Sequence, residues 1–196
     1  LGGYYSGTTG EALGNREASG FQDAIVVLLT ELAHPENQTP PAPPMPPMVT
    51  WYGFGASANY ERITAVDHGL NGSFWIAGRY FATMAFINGT TATNAAVESE
   101  GGKINAFYAH LTAEGVPIAH GRHHLSDRDA HGDGILALPS GGALISVNGD
   151  AEGKKNSSVL LEVDGDGALR WKRQIQASSD RVLRLQPPTR SADGEI

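Results

Sequence analysis

The densest gathering of side chains capable of chemistry is His120-Gly121-Arg122-His123-His124-Leu125-Ser126-Asp127-Arg128-Asp129-Ala130-His131-Gly132-Asp133, with four imidazoles and three carboxylates. Neutral imidazole and ionised carboxylate are donors that zinc and other divalent ions select. His120, His123, His124, Asp127, Asp129 and His131 are therefore the candidate metal ligands. The stretch lacks the His-Glu-x-x-His signature of a helical metal site, and a solvated connection between two strands accounts for the same residues without an ion. If His123, His124 and His131 instead touch a partner, that contact changes between about pH 5 and 7, where imidazole titrates.

Two further segments invite a functional reading. Asp164-Gly165-Asp166-Gly167 opens like a calcium loop, whose alternate carboxylates supply oxygens to a hard cation. The twelfth position counted from Asp164, where a bidentate acid is required, is Ile175, so a plain hairpin turn is preferred. Pro40-Pro41-Ala42-Pro43-Pro44-Met45-Pro46-Pro47-Met48 is extended, because successive prolines fix φ and remove amide donors. It serves as a spacer or as an arm that offers Pro43, Pro44, Met45 and Met48 to a partner's groove.

Reaction motifs are missing from the sequence. No Gly-x-Ser-x-Gly, P-loop or Gly-x-Gly-x-x-Gly occurs in its required strand-to-helix context. Carboxylate pairs for glycoside hydrolysis can be assembled from Asp67, Glu98, Glu100, Asp127 or Asp129, but any chain of this composition allows that. No catalytic residue is assigned, and a divalent ion is the one cofactor the residues suggest.

Charge and composition narrow the partners. With 14 Lys+Arg against 21 Asp+Glu, the formal net charge is −7, a field that repels phosphate backbones. No run of Lys and Arg reverses it, so nucleic acid is not an expected partner. Zero cysteines exclude disulfides and thiolate sites. The longest apolar run, Ala24 to Leu29, has strand length, well short of the roughly 20 residues a spanning helix needs. The start at Leu1-Gly2-Gly3, without an initiator Met, leads us to expect further sequence before it. Asn37-Gln38-Thr39, Asn71-Gly72-Ser73, Asn88-Gly89-Thr90 and Asn156-Ser157-Ser158 are glycosylation acceptors and agree with export.

The elements that must carry these residues repeat. With 40% hydrophobic residues, 18% charged, 25 Gly and 11 Pro, the chain reads as turn-rich and all-β. Its internal similarity defines four strands, a to d. Strand a is Arg62-Ile63-Thr64-Ala65-Val66-Asp67, then Gly134 to Leu138, then Arg181-Val182-Leu183-Arg184-Leu185. Strand b is Ser73 to Ala77 and Ala143 to Val147, followed by glycines: Gly3-Tyr4-Tyr5-Ser6-Gly7-Thr8 matches Gly78-Arg79-Tyr80-Phe81-Ala82-Thr83, and Gly149 closes a third copy. Strand c is Gln22 to Thr30, Ile104 to Thr112 and Asn156 to Asp164. Strand d is Val49 to Gly53, Val116 to His120 and Ala168 to Lys172, with Trp51 and Trp171 at corresponding places. Four short strands at roughly 50 to 75 residues per repeat predict propeller blades, each burying its faces on its neighbours. A β-sandwich of about twelve strands shows the same alternation.

The string Ile63-Thr64-Ala65-Val66-Asp67, Gly72, Phe74, Ile76, Gly78, Tyr80, Thr83, Phe86, Asn105-Ala106-Phe107 and Leu111 to Gly115 resembles the SBBP-type β-propeller repeat of bacterial secreted and surface proteins. The resemblance covers most of residues 56 to 176, with Ala82 where that repeat has glycine. It implies blades at about 1–55, 56–124 and 125–177, the start of another at 178–196, and an extracellular, surface or periplasmic setting. About three blades rarely close a ring, so further blades or another subunit are expected to complete it. The Val163 to Trp171 hairpin is also similar to quinoprotein blades, but no matching acidic set or cysteine pair accompanies it.

A non-catalytic binding or structural module contacting a protein or glycan is the leading expectation. A metal-binding or metal-dependent domain using the 120–133 stretch, and a structural subunit of a larger assembly, are the alternatives.

Overall fold

The structure, a computed structural model, describes residues 2–5, 23–30, 48–56, 61–88, 91–98, 102–126, 128–149, 157–176 and 183–191. Among these residues the chain is all-β. The first sheet has the order β1-β2-β3-β6-β7, from β1 (Gly2–Tyr5), β2 (Asp23–Thr30), β3 (Met48–Ala56), β6 (Thr83–Asn88) and β7 (Thr91–Glu98). The second is β4-β5-β8-β9, from β4 (Arg62–His68), β5 (Phe74–Tyr80), β8 (Asn105–Leu111) and β9 (Pro117–His123). The third is β10-β11-β12-β13, from β10 (Ala130–Ala137), β11 (Ala143–Gly149), β12 (Ser157–Val163) and β13 (Leu169–Gln176). All pairings are antiparallel, and the sheets are open.

The second and third sheets each follow the order a, b, c, d, and their registers coincide. Gly78 faces Phe107 across β5 and β8, Gly3 faces Ile25 across β1 and β2, and Val147 faces Val159 across β11 and β12. Relative to those pairs, β4 is bulged between Ile63 and Ala65, and β10 at the equivalent place between Gly132 and Gly134. A second bulge repeats on the d strands, opposite His110 and Leu111 in one sheet and Glu162 and Val163 in the other. A bulge adds one residue and bends its strand, so two shared bulges give the two sheets the same local twist.

The c–d hairpins share a mechanism as well. The Gly115 amide donates to the Thr112 carbonyl and the Gly167 amide to the Asp164 carbonyl, both at 2.9–3.0 Å. Gly115 and Gly167 sit at φ +79° and +78°, a left-handed turn that closes a hairpin with little strain when the residue has no Cβ. The Thr112 hydroxyl accepts the amides of Glu114 and Val116, and Asp164 Oδ1 those of Asp166 and Ala168.

The register corrects two sequence equivalences. Val147, and not Gly149, occupies the place of Gly78, since Gly149 pairs with Ala130 at the far end of β10. Trp51 faces Val27, whereas Trp171 faces Glu162, whose equivalent on β2 is Leu28. The two tryptophans are one residue out of step in register because β3 lacks the bulge that β13 carries.

A hairpin not anticipated from the sequence, β6–β7, lies between strands b and c of the second repeat but joins the first sheet, β6 pairing with the edge of β3. The second sequence repeat therefore does not coincide with one sheet. Capping a strand edge in this way removes a row of unpaired backbone groups. The hairpin also delivers Met84 and Phe86 to a core with Ile63, Phe74, Ile76, Tyr80, Phe107, Ala109 and Leu111 of the second sheet. Ala82, just before β6, has φ +66°, a left-handed backbone that glycine adopts with less strain.

On its other face the second sheet packs Trp75, Ala77, Ala106 and Tyr108 against Ile135, Ile145, Val147, Val159 and Leu161 of the third. Asp67, at the end of β4, ties the two a strands together by accepting the Ala137 amide at 2.7 Å. The expected further strand, of which Leu183 to Leu185 are described, forms no ladder; residues 183–191 instead cross the outer face of the third sheet. There the Asn148 Nδ2 donates to Asp133 and to the Leu185 carbonyl, while its Oδ1 accepts from Ser158 and the Leu185 amide. Pro187 lies directly on Gly134.

Asn148→Ala should cost about 2–3 kcal/mol in urea unfolding, since buried partners lose their bonds together, and should speed exchange of the Leu185 amide. Ala82→Gly should stabilise by about 0.5–1 kcal/mol by relieving the left-handed backbone, read as a raised melting temperature.

Candidate functional site

Strand alternation and the stacking of the sheets build one polar cleft. On β9, Gly121 and His123 lie beside Tyr108 and Ala106, which belong to the core shared with the third sheet. On β13, Lys172, Gln174 and Gln176 stand opposite Leu161, Val159 and Ser157 of β12. The two outer strands thus turn these rows toward each other across the seam. Arg122, His124, Leu125, Ser126 and Arg128 complete an open cleft of about 700 Å³. Leu125 and Arg128 lean on Gly149, the closest approach being to the Arg128 stem at 2.5 Å from where a Cβ would lie.

The seam beneath the cleft is fixed by the neighbouring hairpin. The Tyr108 hydroxyl passes over Gly121 and donates to the Gly167 carbonyl at 3.1 Å. His110 is stacked on Trp75 at 4.4 Å, and its Nδ1 lies 3.1 Å from the Gly165 carbonyl, which fixes a proton on that nitrogen because a carbonyl only accepts. Burial, reinforced by the Asp164 carboxylate, holds the Tyr108 phenol above its ordinary range. The Asp164–Gly167 segment is the hairpin the sequence suggested, with Asp164 Oδ1 and the Gly165 and Gly167 carbonyls already in hydrogen bonds.

The proposed metal ligands are dispersed. His120 lies against Phe86, ring centroids 5.4 Å apart, on the face turned to the first sheet, whereas His123 faces the third. The His124 ring is 6.4 Å from that of His123. Asp129 Oδ1 accepts the Ile104 amide at 3.0 Å. His131 is not in a loop: it is a buried residue of β10 with Nδ1 3.2 Å from the Arg79 guanidinium, a donor that competes with any cation for the nitrogen. Among the described residues no three His, Asp or Glu side chains could hold an ion, and Asp127 lies outside those residues. Pro43, Pro44 and Met45 of the arm also lie outside them, while Met48 opens β3.

Sequence reasoning missed Lys172, Gln174 and Gln176, and that Arg122 and Arg128 line the same cleft. The available signal was the period-2 spacing of polar residues on β13, on a face whose inner neighbours are apolar. It also missed that residues far apart in sequence concentrate positive charge locally. His123 feels this directly: burial first, then the charges of Lys172 and His124, lower its pKa to about 4.

No family model matches the chain, and no curated protein matches it. The SBBP resemblance rests on the residues quoted for it.

In the unfolded chain His123 returns to an ordinary value near 6.5 and takes up a proton that the folded chain refuses until about pH 4. Stability therefore falls as pH drops through that window, by about 2 kcal/mol once partial exposure is discounted. His123→Gln should flatten this part of the pH–stability profile, measured by urea midpoints at neutral and acid pH.

Proposed function

We propose that the chain is a non-catalytic binding and structural module made of propeller-type blades, part of an exported or surface protein, that contacts a glycan or protein through the cleft between β9 and β13. The observation that carries this reading is the cleft itself: about 700 Å³, open, and lined by Arg122, Lys172, Gln174 and Gln176 over a closely packed seam. Such polar groups on rigid strands can orient a ligand without themselves reacting.

The propeller component draws support from the repeated registers and bulges of the second and third sheets, and from stacking in which β10 covers one face of the second sheet. Residues 183–191 lie over the third sheet in a comparable position, as the first strand of a further blade would. That placement agrees with the proposed ring, to which further blades or another subunit would contribute. The SBBP resemblance agrees, with Ile63, Gly78 and Phe107 at matched register positions. The metal-dependent alternative has no gathered ligand set among the described residues.

The test is retention on arrays of immobilised glycans and proteins. Ligands held by the wild type should be lost by Gln174→Ala/Gln176→Ala at unchanged melting temperature. Equal retention by the double variant would remove the cleft from the reading, and release of cleavage products from a retained ligand would overturn its non-catalytic part.

A further inference from the structure

The cleft has a chemical character that the sequence of charges conceals. Arg122 comes from the end of β9, Arg128 from the turn before β10, and Lys172 from β13, yet all three line one space in a chain of formal net charge −7. No Asp or Glu is among its described lining residues. Beside His123 and His124, the remaining polar lining is Ser126, Ser157, Gln174 and Gln176, which both donate and accept hydrogen bonds. Val159 is buried at 3% exposure, and Leu125 packs on the core, so neither opens an apolar pocket.

We propose that this cleft binds an anionic saccharide chain, with Arg128 and Lys172 taking the carboxylates of uronic acid residues and Gln174 and Gln176 the ring hydroxyls. The inference rests on the binding reading above and names its ligand class. Guanidinium groups match planar carboxylates with paired hydrogen bonds, and an ammonium adds a point charge. A primary amide offers a donor and an acceptor side by side, as a hydroxyl requires. Gln174 and Gln176 stand two residues apart on one strand face, roughly 7 Å along β13, which allows contacts to successive groups of an extended chain. An acidic peptide fits less well. Peptide recognition of this size draws on apolar pockets for alternate side chains, and the two apolar residues here are already covered.

The local charge also opposes the long-range field of the molecule. A bound polyanion should therefore respond to charge reversal at one lining residue and much less to the same reversal on the other face of the same strand. Arg173 provides that control. It follows Lys172 directly, pairs with Leu160 and is absent from the cleft lining.

The experiment is titration calorimetry of the full chain with polygalacturonate oligomers, their methyl esters and polyglutamate. Polygalacturonate should bind the wild type, and weaken as ionic strength rises. Lys172→Glu should reduce affinity at least about tenfold, while Arg173→Glu stays within about twofold. The methyl ester, the same backbone without its charge, should bind at least about tenfold more weakly. No binding of polygalacturonate, equal effects of Lys172→Glu and Arg173→Glu, or tighter binding of polyglutamate would each overturn the proposal. If the ester binds as well as the acid, and Gln174→Ala/Gln176→Ala weakens both, the anionic assignment fails while the cleft remains a binding site.

Discussion

Both side-chain rows of β5 and β8 are buried almost throughout, and an antiparallel sheet in that condition must be covered on both faces. This constraint organises the described part of the molecule. One face of the second sheet takes Met84 and Phe86 from the first, and the other takes Ile135, Ile145 and Val159 from the third. Trp75 and Phe107, pointing opposite ways from neighbouring strands, are both fully buried as a result. A single four-stranded sheet of this sequence would leave one of those aromatic rows in water, at about 1.5–3 kcal/mol for each large side chain.

Close stacking places its own demands on small residues. Gly132 of β10 lies so near Gly78 that an added Cβ would meet its carbonyl at 2.8 Å, and a Cβ on Gly78 would run into the Phe107 ring at 2.7 Å. The Thr64 hydroxyl, at the β4 bulge, donates to the Gly132 carbonyl of β10 and lies 3.2 Å from the Ala77 carbonyl of its own sheet, so the irregular residue links two sheets. Asp67 does the same one turn along through the Ala137 amide. Polar groups at the bulge and the strand end thus set how the sheets meet, while apolar groups supply the driving force.

Burial falls away from the inner strands outward. β11 is buried at every position, whereas β13 is exposed at nearly all of them. The outermost strands are therefore free to carry polar residues, and where β9 and β13 face each other those residues meet. Glu162 of β12 shows the same division on the face away from the cleft, where it accepts the Trp171 indole of β13 and pairs with Arg170 near the solvent. Burial of His123, reinforced by the positive charge that collects on the cleft side, keeps that imidazole neutral well below the pH at which imidazoles normally charge.

The sequence by itself determined most strands of the second and third sheets, because alternation, β-branched and aromatic residues and the Gly115 and Gly167 turns are local signals, but it missed β6 and β7. It carried the hairpin at Asp164–Gly167 and the all-β class. It did not carry the bulges, which shifted the equivalence of Trp51 and Trp171, nor the destination of the β6–β7 hairpin, which pairs with a strand about thirty residues earlier. His120, His123 and Asp129 are close in sequence, yet strand pleating sends the first two to opposite faces and a backbone amide engages the third. Arg122 and Lys172 are far apart in sequence and share a cleft. Proximity along the chain decides which side chains are neighbours only within a turn; across strands, register and sheet stacking decide it, and those arise from long-range burial.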